Sequence, residues 1–325
     1  MSFPFNAYLL AFAGSLVSSL IAFPFWHRWC LKTGLVDQPG HRKIHSTPIP
    51  LAGGLAVLTG FLAPIIGGSL ILMSGLIPAD WTGLLTYGLD RRSLQLAAII
   101  IGAVAMTTLG WWDDRHTLRP LPKFAGQLLI AAIVAASGVR ITLFVDNVFF
   151  SYATTILWIL TLTNSLNFLD NMNGLCAGLG ISASFCFAMA AAARGQYLVA
   201  ILAFLISGAL LGFLPFNYPR AKAFLGDAGS HLVGYLLAIL AILPHFYTAT
   251  TPNKLAVLSP LLVLSVPIYD IVTIILIRLR LGKPVYEGDT NHVSHRLVRK
   301  GLSKPLAVAV LWLCSLATGA ISLLL

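Results

Sequence analysis

Residues 215–230 read PFNYPRAKAFLGDAGS. An apolar run of membrane length ends just before this stretch and another begins just after it, so the stretch is a short polar connection lying against a bilayer. Asp227 therefore stands where an acid is costly, and carboxylates at membrane depth usually mark an ion or substrate site. The glycines at 226 and 229 let a backbone or a phosphate come close to it. The plain alternative is a loop acid that caps a helix beginning near Ser230. What weighs against that alternative is recurrence, because similar polar stretches interrupt the chain elsewhere.

Of the 325 residues, 58% are hydrophobic and 10% are charged, which places the chain among polytopic membrane proteins. Apolar runs near 5–25, 51–74, 94–112, 121–139, 149–166, 175–193, 197–214, 231–249, 255–277 and 305–325 predict an all-α transmembrane helical bundle of about ten spans. No repeat, linker or second domain stands out, so residues 1–325 are expected to form one membrane domain. Cys30, Cys176, Cys186 and Cys314 lie on or beside apolar runs without metal-type spacing and read as packing residues. The net charge of +10 is spread over short loops rather than gathered in one tract, which excludes nucleic acid as a partner.

The first run has no Lys or Arg before it and is followed by Arg28 and Lys32, the reverse of a cleaved signal peptide. It is expected to be a retained span with its N-terminus outside, which puts both termini in the periplasm. Loop alternation then places Arg28, Lys32, Arg42, Lys43, Arg115, Arg119, Lys123, Arg220, Lys222 and the cations of 278–304 on the inside, most of the 21 basic residues. Asp37, Asp113, Asp114, Asp170, Asp227, Asp270, Glu287 and Asp289, most of the 11 acids, fall on the same side. A positive-inside bias makes no demand on carboxylates. Their concentration needs another cause, and assembly of a cation site is the obvious one.

The inner stretches carry the chemistry. DQPGHRKIHSTPIPLAGG (37–54) joins Arg42, Lys43 and His45 to a double glycine, suited to a phosphate or, equally, to anionic headgroups. In GWWDDRHTLRPLPKFAGQ (110–127), adjacent Asp113 and Asp114 repel each other, so a cation, an arginine partner at Arg115 or Arg119, or a raised pKa is needed to keep them together. Mg²⁺ is a natural candidate, since it takes one or two carboxylates and completes its shell with water and phosphate oxygens. TNSLNFLDNMNGLCAGL (163–179) is the strongest single signal: Asn164, Asn167 and Asn171 share a face if helical, with Asp170 close by, and interhelical amide bonding accounts poorly for so many polar groups. The stretch at 215–230 adds Asn217, Arg220 and Lys222 to Asp227. RLRLGKPVYEGDTNHVSHRLVRKGLSK (278–304) holds His292 and His295 beside Arg296, and with no third metal ligand nearby these are read as phosphate contacts. Asp270, inside the ninth run, is read as bonded to a neighbouring helix.

Taken together, these five stretches resemble the polyprenyl-phosphate N-acetylhexosamine-1-phosphate transferases, the glycosyltransferase 4 group of bacterial membrane enzymes. The resemblance runs from Asp37 to Ser303 through DQPGHRKIH with Gly53-Gly54, Asp113-Asp114 with Lys123 and Gln127, NSLNFLDNMNGL, LGDAGS and DTNHVSHRL. Where the family pattern has N-x-x-N-x-x-D-G-x-D-G-L, this chain has Asn171 for the first glycine and Asn173 for the second aspartate; in the final histidine run the middle residue is Ser294. The loops look closer to the undecaprenyl-phosphate N-acetylglucosamine-1-phosphate branch than to the phospho-MurNAc-pentapeptide branch, which has three consecutive histidines.

The resemblance implies Asp227 as a ligand of Mg²⁺ (or Mn²⁺ in its place), with Asp113 and Asp114 beside it, and Asp113, Asp114, Asp170 and Asp227 as the catalytic acids. It implies Arg42, Lys43, His45, Lys123, Asn164, Asn167, Asn217, His292, His295 and Arg296 as substrate-binding groups. The expected partners are a UDP-N-acetylhexosamine, a polyprenyl phosphate and membrane lipid, with a homodimer left open. The expected reaction is attack of the lipid phosphate on the β-phosphorus at the cytoplasmic face of the bacterial inner membrane, releasing UMP. Base catalysis by Asp113 or Asp114 and a two-step route through an aspartyl-phosphate both remain open. The competing classes are an ion-coupled transporter, which calls for midplane charges and repeat symmetry, and a non-catalytic family member, which Asn173 and Ser294 keep in play.

Overall fold

The computed structural model describes residues 3–39, 47–74, 79–143, 145–244, 246, 253–284 and 290–325, with the backbone only for 79–90. The elements are α1 (Phe5–Thr33), β1 (Val36–Asp37), β2 (Ile49–Pro50), α2 (Gly53–Met73), α3 (Ala79–His116), α4 (Pro120–Ala136), α5 (Val148–Leu169), α6 (Leu175–Ala193) and α7 (Tyr197–Phe213), then α8 (Gly226–Ile242), α9 (Ser259–Val263), α10 (Ser265–Arg280), α11 (Val293–Arg299) and α12 (Lys304–Ser322). Each apolar run expected to span is helical over most of its described residues, as lipid requires: with no water to bond to, backbone N–H and C=O groups must pair within the segment. β1 and β2 form a two-residue antiparallel ladder, Val36 opposite Pro50, the one strand pairing among the described residues.

Among the described residues 7 helices are long and apolar enough to cross a membrane, or up to 8 if the bent α9–α10 unit is one span; α4 and α8 are shorter apolar helices. The chain is a multi-pass helical membrane protein. Leu10, Ile21, Leu70 and Leu313 point outward from α1, α2 and α12 and are largely exposed, the surface lipid would cover. α8 is the opposite case. Every residue from Ala228 to Ala241 is buried, because α2, α3, α5 and α6 pack around it, and a helix apolar all round belongs at such a centre.

Three differences from the sequence expectation stand out. The third run, expected over 94–112, belongs to a helix from Ala79 to His116 broken at Arg92, so Asp113 and Asp114 lie in its last turn. The eighth run, expected from 231, is helical from Gly226, which moves Asp227 out of a loop and into the first turn of α8. Backbones approach closely there: a Cβ on Gly54 would lie 2.4 Å from the Gly229 nitrogen, and one on Gly110 would lie 2.3 Å from the Asp227 carbonyl oxygen. The ninth run is broken, with α9 and α10 bent by 71° at Leu264. Pro267 lacks the N–H that would continue the helix back to the Val263 carbonyl, which accounts for the break.

Candidate active site

The ends of α3, α4, α5 and α8 bring four of the sequence-selected residues to one point. Asp113, in the last turn of α3, and Asp227, in the first turn of α8, each meet the Lys123 ammonium of α4, at 2.7 Å and 2.8 Å. Asn167, near the end of α5, donates through Nδ2 to Asp227 Oδ1 at 2.8 Å and to Ser230 Oγ at 2.9 Å. Lys123 rather than Arg115 or Arg119 is therefore the cationic partner of Asp113, and it holds Asp227 as well. Adjacent residues on a helix point about 100° apart, and Asp113 and Asp114 separate accordingly. Asp113 faces Lys123 and also accepts from the Leu118 N–H at 2.7 Å, whereas Asp114 turns to α8 and accepts from the N–H groups of Asp227 and Ala228 at 2.9 Å and 3.0 Å.

The cluster lines a cavity of about 1760 Å³. Asp170, which follows α5, opens on the same cavity and is half-buried, with protein packed around its carboxyl. This enclosure, and after it the charges of Asp227 and Asp114, pushes its carboxyl up to about 8. Asn164 lines the cavity and donates to Gln127 Oε1 at 2.7 Å; Gln127 itself is fully buried. Asn217 is spent on the backbone, its Oδ1 accepting from the Gly174 N–H at 2.7 Å and its Nδ2 donating to the Ala223 carbonyl at 2.9 Å, which ties the 215–230 stretch to the start of α6.

The last inner stretch reaches the cavity through His295, held below its usual range by burial and by the neighbouring His292, Arg299 and Lys304. His292 is not in the cavity lining. It is buried, with Nδ1 2.7 Å from Asp270 Oδ2, while Asp270 Oδ1 accepts from the Val293 N–H at 2.7 Å. Asp270 thus bonds to a neighbouring helix, as expected. Arg296 also stands off the lining, its guanidinium 5.6 Å from the Tyr269 ring centre. Arg42, Lys43 and His45 lie outside the described residues. Arg119, Arg220 and Lys304 line the cavity and were not singled out as binding groups; the available signal was their position beside the motifs at loop ends.

Among the described residues no three His, Cys, Asp or Glu side chains form a metal-binding group. Asp113 and Asp227 meeting on one ammonium are hard oxygen donors, the kind and number that Mg²⁺ takes from a protein when a phosphate supplies further ligands.

Residues 96–245 match glycosyl transferase family 4. The chain is 32% identical over 313 residues to a probable undecaprenyl-phosphate N-acetylglucosaminyl 1-phosphate transferase of Bacillus subtilis, a match covering 94% of this chain and 81% of the relative. The chain belongs to glycosyl transferase family 4. Other relatives are a decaprenyl-phosphate N-acetylglucosaminephosphotransferase of Mycobacterium tuberculosis, 34% identical over 90% of this chain and 76% of its own length, and an undecaprenyl-phosphate alpha-N-acetylglucosaminyl 1-phosphate transferase of Escherichia coli, 26% identical over 95% and 81%. The family 4 match takes in Asp113, Asp114, Lys123, Asn167, Asp170 and Asp227, so the residues that converge in space fall inside the matched segment.

Proposed function

We propose that this chain, as one transferase domain, moves an N-acetylhexosamine-1-phosphate from a UDP-sugar to a polyprenyl phosphate of the undecaprenyl type and releases UMP, starting a lipid-linked cell-envelope glycan. The site lies at the cytoplasmic face of the bacterial inner membrane in this reading. The observation that carries it is that one cavity is lined both by exposed apolar side chains of α4 and α5, Leu121, Phe124 and Leu157, and by the cations Arg119, Arg220 and Lys304, together with the Asp113–Lys123–Asp227 cluster. Such a cavity suits an acceptor that arrives from the bilayer and an anionic donor that arrives from water.

In the proposed step an oxygen of the lipid phosphate forms a bond to the β-phosphorus, and the bond from that phosphorus to the bridging oxygen breaks, leaving UMP with the bridging oxygen. The lipid phosphate is ionised near neutral pH, so no base is needed. Phosphoryl transfer depends mainly on alignment and on neutralising charge. Lys123 supplies positive charge beside the reacting phosphates, and Asn167 fixes the rotation of the Asp227 carboxylate. Asp114, with both oxygens engaged by backbone N–H groups, serves to hold the start of α8 rather than to take a proton. When bound through Asp227 and Asp113, a Mg²⁺ ion supplies further neutralisation of the pyrophosphate.

The test is incubation of the purified protein with Mg²⁺, polyprenyl phosphate and a panel of UDP-sugars, measuring UMP. UMP released only when the lipid is present is expected. Asp227→Asn should abolish both transfer and its Mg²⁺ dependence while the protein stays in the membrane. No UMP with any sugar, or full turnover by the variant, rejects the reading.

A further inference from the structure

Asn171 and Ser294, far apart in the chain, touch in the fold. Ser294, wholly buried in the first turn of α11, donates through Oγ to Asn171 Oδ1 at 2.8 Å. Asn171 in turn donates through Nδ2 to the Phe168 carbonyl at 2.8 Å, so both ends of its amide are engaged. Asn171 follows Asp170 and Ser294 precedes His295; Asp170, Asn171 and His295 all line the cavity. The same turn of α11 is held from its other side by Asp270, through the Val293 N–H and the His292 ring.

Shortening Asn171 would leave the buried Ser294 hydroxyl without its acceptor, and removing the Ser294 hydroxyl would leave Asn171 Oδ1 without its donor.

We propose that Asn171 and Ser294 are a coupled positioning pair that latches α11 to the turn carrying Asp170 and thereby sets where His295 stands in the cavity. The activity arm of its test rests on the transferase reading given above.

The experiment compares Ser294→Ala, Asn171→Ala, the double variant and Ser294→Thr. It measures kcat and KM for UMP release, and amide hydrogen exchange of residues 293–299 in the full-length protein. Each alanine variant should lose between about 10-fold and about 100-fold in kcat, with KM for the polyprenyl phosphate within about twofold, as for displacement of a group by a fraction of a bond length. The double variant should be no worse than the worse single variant, Ser294→Thr should restore kcat, and exchange should quicken in α11. Losses that multiply in the double variant, or wild-type kcat and exchange in Ser294→Ala, overturn the pair. If the wild type releases no UMP, the transferase reading fails and exchange alone decides: faster exchange in Ser294→Ala with recovery in Ser294→Thr supports the latch, and unchanged exchange overturns it.

Discussion

Asp114 holds Asp227 by the backbone, not by the side chain: its Oδ1 accepts from the Asp227 N–H at 2.9 Å, and its Oδ2 accepts from the next residue along at 3.0 Å. The first N–H groups of a helix have no partner within it, and a carboxylate there is favoured by the helix dipole. α3 therefore caps α8 through space, and the Asp227 carboxylate is left for Lys123 and Asn167. Asp114→Ala removes both bonds and should destabilise the protein by about 1 to 3 kcal/mol, the range for a lost cap with buried donors left unmade. Turnover should fall by more than that loss explains, because Asp227 moves. Asp114→Asn keeps one acceptor oxygen and should fall between. Thermal unfolding and UMP release of the two variants check this, and an alanine variant with wild-type values in both would contradict it.

Gly226 stands at the same junction. Its φ of +72° is a left-handed conformation, and an added Cβ would lie 2.8 Å from Asp114 Oδ2. Gly226→Ala thus combines backbone strain of about 1 to 2 kcal/mol with a displaced Asp114 carboxylate. Gly34 supplies the control, since it has the same φ of +72° and nothing within 4 Å of its Cβ position. Gly34→Ala should cost about 1 kcal/mol and leave kcat alone. Gly226→Ala should cost more and lower kcat sharply. Equal effects of the two on kcat would show that the Asp114 contact does not govern the site.

The helical runs were legible because lipid leaves the backbone no other way to satisfy itself, so composition alone locates them. The convergence of Asp113, Asn167 and Asp227 was legible for a related reason: polar groups at the ends of apolar runs are confined to thin layers, and those on one side must meet. The start of α8 was not legible, because the cap that lets it begin at Gly226 is a side chain of α3 far away in the chain. Nor was the cation that pairs with Asp113. Arg115 and Arg119 are nearer in sequence, but the left-handed turn at Thr117, with φ 49°, folds α4 back so that Lys123 arrives instead. His292 was read as a phosphate contact from its neighbours; its Nδ1 lies 2.7 Å from Asp270 on a separate helix, a pairing no local pattern announces.

Lys123 is the one cation among the described residues seen to bridge two carboxylates. Lys123→Met would leave Asp113 and Asp227 facing each other with only amide and backbone donors to offset them. A fully buried pair that loses one partner costs about 3 to 5 kcal/mol. The Asp227 side chain is 34% exposed, so solvent screens part of that, and about 1 to 3 kcal/mol is expected. Lys123→Arg should retain most of the stability but little of the turnover, because a planar fork cannot occupy the point between two carboxylates that a compact ammonium occupies. Unfolding midpoints and UMP release separate the two effects. An arginine variant as active as the wild type would mean that Lys123 acts as charge alone.

Asp170 makes the free protein sensitive to pH. Enclosure first, and the charges of Asp227 and Asp114 next, raise its carboxyl from 3.8 to about 8. Between those values the folded protein keeps a proton that the unfolded chain has lost. The stability linked to that proton is complete below about 4 and disappears as the pH climbs through about 8. A shift of this size corresponds to an upper bound of about 6 kcal/mol. In detergent with a chelator present, the unfolding midpoint of the wild type should therefore drop between pH 5 and pH 9. Asp170→Asn cannot ionise, so its midpoint should be flatter over the same range and should exceed that of the wild type at pH 9. If the asparagine variant declines as steeply as the wild type, the pH sensitivity arises elsewhere and Asp170 is ionised in the folded protein throughout.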